Sequence, residues 1–153
     1  MDIEIRFMTI EDYDSVYALW SSTPGMGLHG FEDSREGIDK FLRRNPGCSF
    51  VAVKDDSIIG AVLGGHDGRK GYIYHATLAP AMRGLGYGRR LVEAVKHALA
   101  REGIKRLGLL VFTENDTGNA FWSNSGWTRR GDVNYYSLSI IRGPQKDVRL
   151  FGV

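Results

Sequence analysis

The chain has 153 residues, 42% of them hydrophobic and 25% charged, with 20 Lys and Arg against 18 Asp and Glu for a net charge of +2. That size fits a single domain over residues 1–153, with a core at about 3–141 and a tail at 143–153, and so small a net charge makes no case for a nucleic-acid partner. One cysteine excludes an intramolecular disulfide, and no apolar run reaches membrane-spanning length, so a cytoplasmic protein without a membrane partner is expected.

Ile3, Ile5 and Phe7 alternate with Glu4 and Arg6, which predicts a half-buried strand and argues against a secretory signal. Thr9 followed by Asp12 fits a helix start, and Tyr13, Val16, Tyr17 and Trp20 recur at helical spacing before the break at 21–25. The loop at 26–32 carries Met26, Leu28, His29, Phe31 and Glu32. Asp33 with Glu36 reads as a second capping pair, opening a short amphipathic helix through Ile38, Phe41 and Leu42 that Asn45, Pro46 and Gly47 stop. Cys48 precedes an apolar strand and reads as a small packed residue rather than a nucleophile. Strands at 50–53, 58–63 and 72–78 follow, joined by polar turns at 55–57 and 67–71, as an antiparallel meander.

The third of these strands runs into Pro80 and then Arg83-Gly84-Leu85-Gly86-Tyr87-Gly88, after which Leu91, Val95, Ala98 and Leu99 mark one face of a helix over 89–101. Strand, glycines, helix is an arrangement that binds phosphate. The glycines let the backbone approach a ligand, and the first helical turn offers N–H donors at the positive end of the helix dipole. Neither the dinucleotide fingerprint nor the nucleotide-triphosphate loop is spelled here. Arg83, Arg89 and Arg90 add positive charge. Gly103 closes the helix, and the apolar run 107–112 predicts a buried strand parallel to 72–78.

Two motifs carry a family resemblance. R-x-x-G-x-G, at Arg83, Gly86 and Gly88, resembles the pyrophosphate loop of the GNAT N-acetyltransferase superfamily. Asn115, Ala120 and Gly126-Trp127 match the superfamily's second signature. The resemblance implies a GNAT fold: mixed α/β (α+β), with flanking helices on a central, mostly antiparallel sheet. That sheet has about six or seven strands and one parallel pair, 72–78 with 107–112. It also implies acetyl-CoA as acetyl donor and no metal. Arg83, Gly84, Leu85, Gly86, Tyr87, Gly88 and Arg89 would hold the diphosphate, and Leu78 and Ala79 the pantetheine arm. Asn115 and Trp122 would complete the cofactor site. A backbone N–H near Leu78 would stabilise the oxyanion as an amine attacks directly in a ternary complex.

The chain departs from the family where proton transfer is concerned. Many members carry a Tyr where Trp122 stands, and an indole N–H is no acid at neutral pH. The ribosomal-protein branch has a Glu where Leu110 stands. The replacement candidates are Tyr72, Tyr74 and His75, with Tyr74 foremost as acid or water-orienting group. Alternation puts Tyr72, Tyr74, Ala76 and Leu78 on one face and His75 on the other, unless a bulge intervenes. For the acceptor, a small-molecule or peptide primary amine, Glu32 and Asp33 are the acidic pair, and Trp20, Phe31, Tyr135 and Tyr136 are candidate lining. The competing reading is a catalytically weak or inactive module that binds acyl-CoA as a regulator. A last strand at 133–141 would either pair with a neighbouring chain, giving a homodimer, or lie under the tail.

Overall fold

The computed structural model describes residues 2–141. Its sheet has five strands in the order β1 (Glu4–Phe7), β2 (Phe50–Lys54), β3 (Ser57–His66), β4 (Gly71–Leu78) and β5 (Leu107–Gly108). The first four pair antiparallel with their neighbours, and β5 runs parallel to β4. Helices α1 (Tyr13–Ser21), α2 (Arg35–Arg44), α3 (Tyr87–Arg101) and α4 (Asp116–Asn124) flank the sheet.

Each helix buries the stripe its spacing defines. Val16 and Trp20 of α1 and Ile38 of α2 pack with Val51, Ala61 and Leu63 on one face of the sheet. Leu91, Val95 and Leu99 of α3, with Trp122 of α4, pack with Val62 and Ile73 on the other. At the start of α1, Asp12 accepts from the Thr9 N–H at 2.9 Å, as the expected capping pair requires. The start of α2 differs from expectation: Ser34 is the N-cap, accepting from Gly37 N–H at 3.1 Å, and Asp33 turns inward instead.

The sheet is smaller than the about six or seven strands expected. The run 107–112 contributes only the two residues of β5, paired as Gly71↔Leu107 and Tyr72↔Gly108, because β5 then parts from β4 and loses its ladder. Residues 133–141 keep their alternating pattern but form no strand among the described residues. The tail at 143–153 lies outside the described residues.

One irregularity decides the site. Between Ala61↔Thr77 and Leu63↔Tyr74 the register advances two residues on β3 and three on β4, so β4 bulges at His75, whose φ is +50°. A bulge reverses the alternation beyond it. Tyr74 and His75 therefore both face α1 and α2, whereas Ala76 and Leu78 pack with the α3 cluster. The single shared face for Tyr72, Tyr74, Ala76 and Leu78 does not exist, and the bulge brings His75 to the Tyr74 side.

Candidate active site

Where β5 parts from β4, a cavity of about 990 Å³ opens. Its walls are Ala76, Thr77 and Leu78 of β4, the glycine turn, α4 and the turn at 23–26. Gly84 and Gly86 have φ of +78° and +84°, and a Cβ at either would meet nothing within 4 Å, so both turn bare backbone to open space. Gly86 is the N-cap of α3, and its carbonyl accepts from the Arg90 N–H at 3.2 Å. The amides of Tyr87, Gly88 and Arg89 precede that bond and belong to the turn that a helix leaves without intrahelical acceptors. Arg83 and Arg89 line the cavity, Arg89 also donating to the Asn124 carbonyl at 3.1 Å. Arg90 is turned away and spent on Asp2, at 2.6 Å.

The sequence-predicted cofactor residues divide. Arg83, Gly84, Gly86, Gly88, Arg89, Leu78, Asn115 and Trp122 line this cavity; Leu85, Tyr87 and Ala79 do not. Leu85 is solvent-exposed, and Tyr87 packs against the α3 cluster. The Ala79 N–H is taken by the Ile59 carbonyl at 2.8 Å, which removes it as an oxyanion donor. Leu78 stands opposite Gly60 one residue before that bond, so by antiparallel alternation its own N–H and C=O point to the edge β5 has left. Asn115 caps α4, its Oδ1 accepting from Gly118 N–H at 2.9 Å. Trp122 is buried edge-on against Phe121 and Trp127, a packing residue that shows the cavity one side.

On the other side of the bulge lies a second cavity of about 590 Å³. Tyr74, His75, Phe31, Glu32 and Asp33 line it. Burial, then the neighbouring Tyr72, Tyr135 and Glu32, push the Tyr74 phenol above its ordinary pKa, so it stays a neutral donor at neutral pH. Tyr72 does not line the cavity; its ring lies 6.2 Å from that of Tyr74, with Lys70 Nζ 5.4 Å above it. Tyr135 comes near enough to Glu32 for that charge, after burial, to raise its phenol too. Tyr136 is 86% exposed and lines neither cavity.

Two acceptor candidates are buried and engaged with the protein itself. Trp20 lines neither cavity: it is fully buried, because helical spacing puts it on the inner face of α1, with its ring 4.9 Å from that of His75. Asp33 is buried and committed, Oδ1 to His75 Nε2 at 2.8 Å and Oδ2 to the His29 N–H at 2.8 Å. That pairing joins positions 42 apart and left no local signal. Glu36 and Lys40, which line this cavity together with Phe41, stand at i, i+4 on α2. Cys48 is buried and its thiol pushed up by burial, as befits a packed residue. Among the described residues no cluster of His, Cys, Asp and Glu is arranged to hold a metal, and no helix is long and apolar enough to cross a membrane.

The acetyltransferase (GNAT) family model matches residues 13–127. An acetyltransferase of Yersinia pestis is 30% identical over 114 residues, covering 74% of this chain and 79% of the relative. Among solved structures, the PaiA N-acetyltransferase of Thermoplasma acidophilum in complex with coenzyme A superposes with a TM-score of 0.70 at 20% identity, over 81% of this chain and 88% of that one. An aminoglycoside acetyltransferase from an uncultured soil metagenomic sample, in complex with sisomicin, gives 0.72 at 16% identity, over 91% and 97%. Sequence match and fold agree with a glycine turn that opens bare amides and two arginines onto the cleft: the chain belongs to the GNAT family and is an N-acetyltransferase.

Proposed function

We propose that the protein transfers the acetyl group to a primary amine by direct attack, with coenzyme in the larger cavity and amine in the smaller. The observation that carries this reading is the β4 bulge, which gives one strand residues in both cavities. The donor brings an acetyl thioester already activated toward amines. The amides of residues 84–89 and the Arg83 and Arg89 guanidiniums hold its diphosphate. The Leu78 N–H and C=O pair with its extended arm along the open edge of β4, as a further strand would. A backbone N–H on that edge faces the thioester oxygen and stabilises the negative charge that develops there. The cleft's size and its mostly apolar lining suit such an elongated ligand.

In the second cavity Glu32 and Glu36 draw in an ammonium group, and the neutral Tyr74 hydroxyl orients the amine or its water. The acidic and aromatic lining favours an acceptor with positive charge and an apolar or ring-shaped body, and the sisomicin complex of a structural neighbour points the same way. Residues 133–141 pair with a second copy of the chain. Tyr136, Leu138 and Ile140 share one face at period two and are 86, 87 and 92% exposed, while the outer edge of β5 is unpaired among the described residues. Reciprocal exchange under one two-fold axis would cover both.

Calorimetry with acetyl-CoA and a thiol-release assay with sisomicin, spermidine, tryptamine and an alanine-initiated peptide test the reading. Saturable coenzyme binding with thiol release on at least one amine is expected. No coenzyme binding overturns it, and binding without release from any of the four turns it into the regulatory alternative.

A further inference from the structure

The loop between α1 and α2 gives Thr23, Pro24, Gly25 and Met26 to the wall of the larger cavity, and of these only Met26 is buried, at 5% exposed. Its two neighbours, Gly25 and Gly27, both hold a left-handed backbone, with φ of +78° and +63°. Residues with a Cβ rarely adopt that conformation, so the pair of glycines brackets an inward turn of the chain at Met26. Met26 Sδ lies 3.8 Å from Thr77 Oγ1, and the Thr77 hydroxyl donates to the His75 carbonyl at 2.9 Å. Thr77 stands opposite Ala61 in the β3–β4 register. Directly opposed residues of an antiparallel pair present their side chains on one face. Both are small and line the cavity, and Met26 packs in the cluster that holds Ala61.

We infer that Met26 sets the length of the acyl group the donor carries, stopping the cleft at acetyl and excluding butyryl and longer chains; this rests on the placement of the coenzyme in the larger cavity proposed above. In that placement the diphosphate lies at residues 84–89, past the C-terminal end of β4, and the extended arm runs back along the strand from Leu78. The thioester end then arrives at Ala76 and Thr77, the last cavity-lining residues of β4 before the bulge and the smaller cavity. Met26 meets Thr77 at that end, in front of the fully buried Ala61 and Val62 of β3. Each methylene beyond acetyl needs volume that Met26 already fills, and an interior packed to crystal-like density has none to spare. An unbranched thioether side chain moulds to the small methyl group of an acetyl thioester. Since Ala61, Ala76 and Thr77 are all small, cutting Met26 back opens the space to a longer chain. A methionine that served only as core, beside Trp20 and Leu63, would change stability and affect every donor alike.

The test uses the full chain, with acetyl-CoA and butyryl-CoA as donors and whichever of the four amines releases thiol fastest. The native protein should favour acetyl-CoA by about a hundredfold in kcat/KM. Met26→Ala should narrow that ratio by about tenfold or more, while Met26→Leu, which conserves volume, should keep it. Met26→Val removes less of the core and should move the ratio the same way by less, which keeps the test open if Met26→Ala fails to fold. Calorimetry with the two thioesters should show the same change in relative affinity without any turnover. A native protein that takes butyryl-CoA as well as acetyl-CoA would overturn the inference. So would Met26→Ala or Met26→Val with both donors lowered together and the ratio unmoved. Coenzyme binding with an unmoved ratio would sink this inference alone, whereas a native protein that binds no acetyl-CoA would sink the functional reading and this inference with it. Where coenzyme binds but no amine reacts, the calorimetric ratio decides.

Discussion

Gly86 combines a φ of +84° with a Cα whose missing Cβ would point into open cavity. An L-residue there pays backbone strain whatever its size, about 1–2 kcal/mol, so Gly86→Ala measures the strain alone. Gly86→Glu adds bulk and a negative charge where the proposed function puts the coenzyme diphosphate. We expect Gly86→Ala to weaken coenzyme binding modestly and Gly86→Glu to abolish it, with similar thermal midpoints for the two. Equal coenzyme affinity in both, measured by calorimetry, would remove the turn from the binding site. Tyr74 also responds to its surroundings: burial first, then Tyr72, Tyr135 and Glu32, push its phenol above the ordinary value.

At the scale of elements, the join between β1 and the start of α1 rests on one ion pair. Arg6 grips Asp12 through two hydrogen bonds of 2.9 Å, and Asp12 also receives the Thr9 N–H. The Arg6 hydrogen bond above all, helped by the Thr9 amide and opposed by burial, lowers the Asp12 carboxyl below its ordinary pKa. A folded-state pKa below the unfolded one stabilises the fold above the unfolded value, and that stabilisation is lost as pH falls through the folded value. Asp12→Asn should therefore cost roughly 2 kcal/mol at pH 7 in denaturant unfolding, and the gap to the native protein should close below about pH 4. A gap that persists unchanged in acid would mean the pair does not hold the helix start. The β4 bulge is the other decisive local feature. One extra residue on a strand moves His75 across the sheet and separates Tyr74 from Leu78, so one strand sends residues into both cavities.

At the scale of the whole molecule, the sheet ends in an open edge and the chain runs on into an exposed apolar segment. Light scattering of the full chain should report a dimer, and Leu138→Asp with Ile140→Asp should convert it to a monomer. A native monomer would leave the exposed face without its partner and end the exchange model. Much of the architecture was legible beforehand. The meander, the helix stripes at Val16–Trp20 and Leu91–Leu99, and the glycine turn before α3 all rest on local periodicity and on residues whose backbone preferences are strong. Strand count was not, because 107–112 and 133–141 carry strand patterns whose pairing depends on an edge supplied from elsewhere.

The sequence by itself determined that residues 83–89 form a glycine-rich turn at a helix start, since glycine content and helix signals act over a few residues. It also determined the order of strands and helices around that turn. Only the tertiary structure decided that Asp33 meets His75, that Ala79 is already hydrogen-bonded, that Trp20 is core, and that a bulge divides the site into two cavities. Those outcomes depend on register between strands and on contacts between residues tens of positions apart. A one-residue slip in pairing reverses every side chain beyond it, and nothing in the local pattern of β4 records where that slip falls.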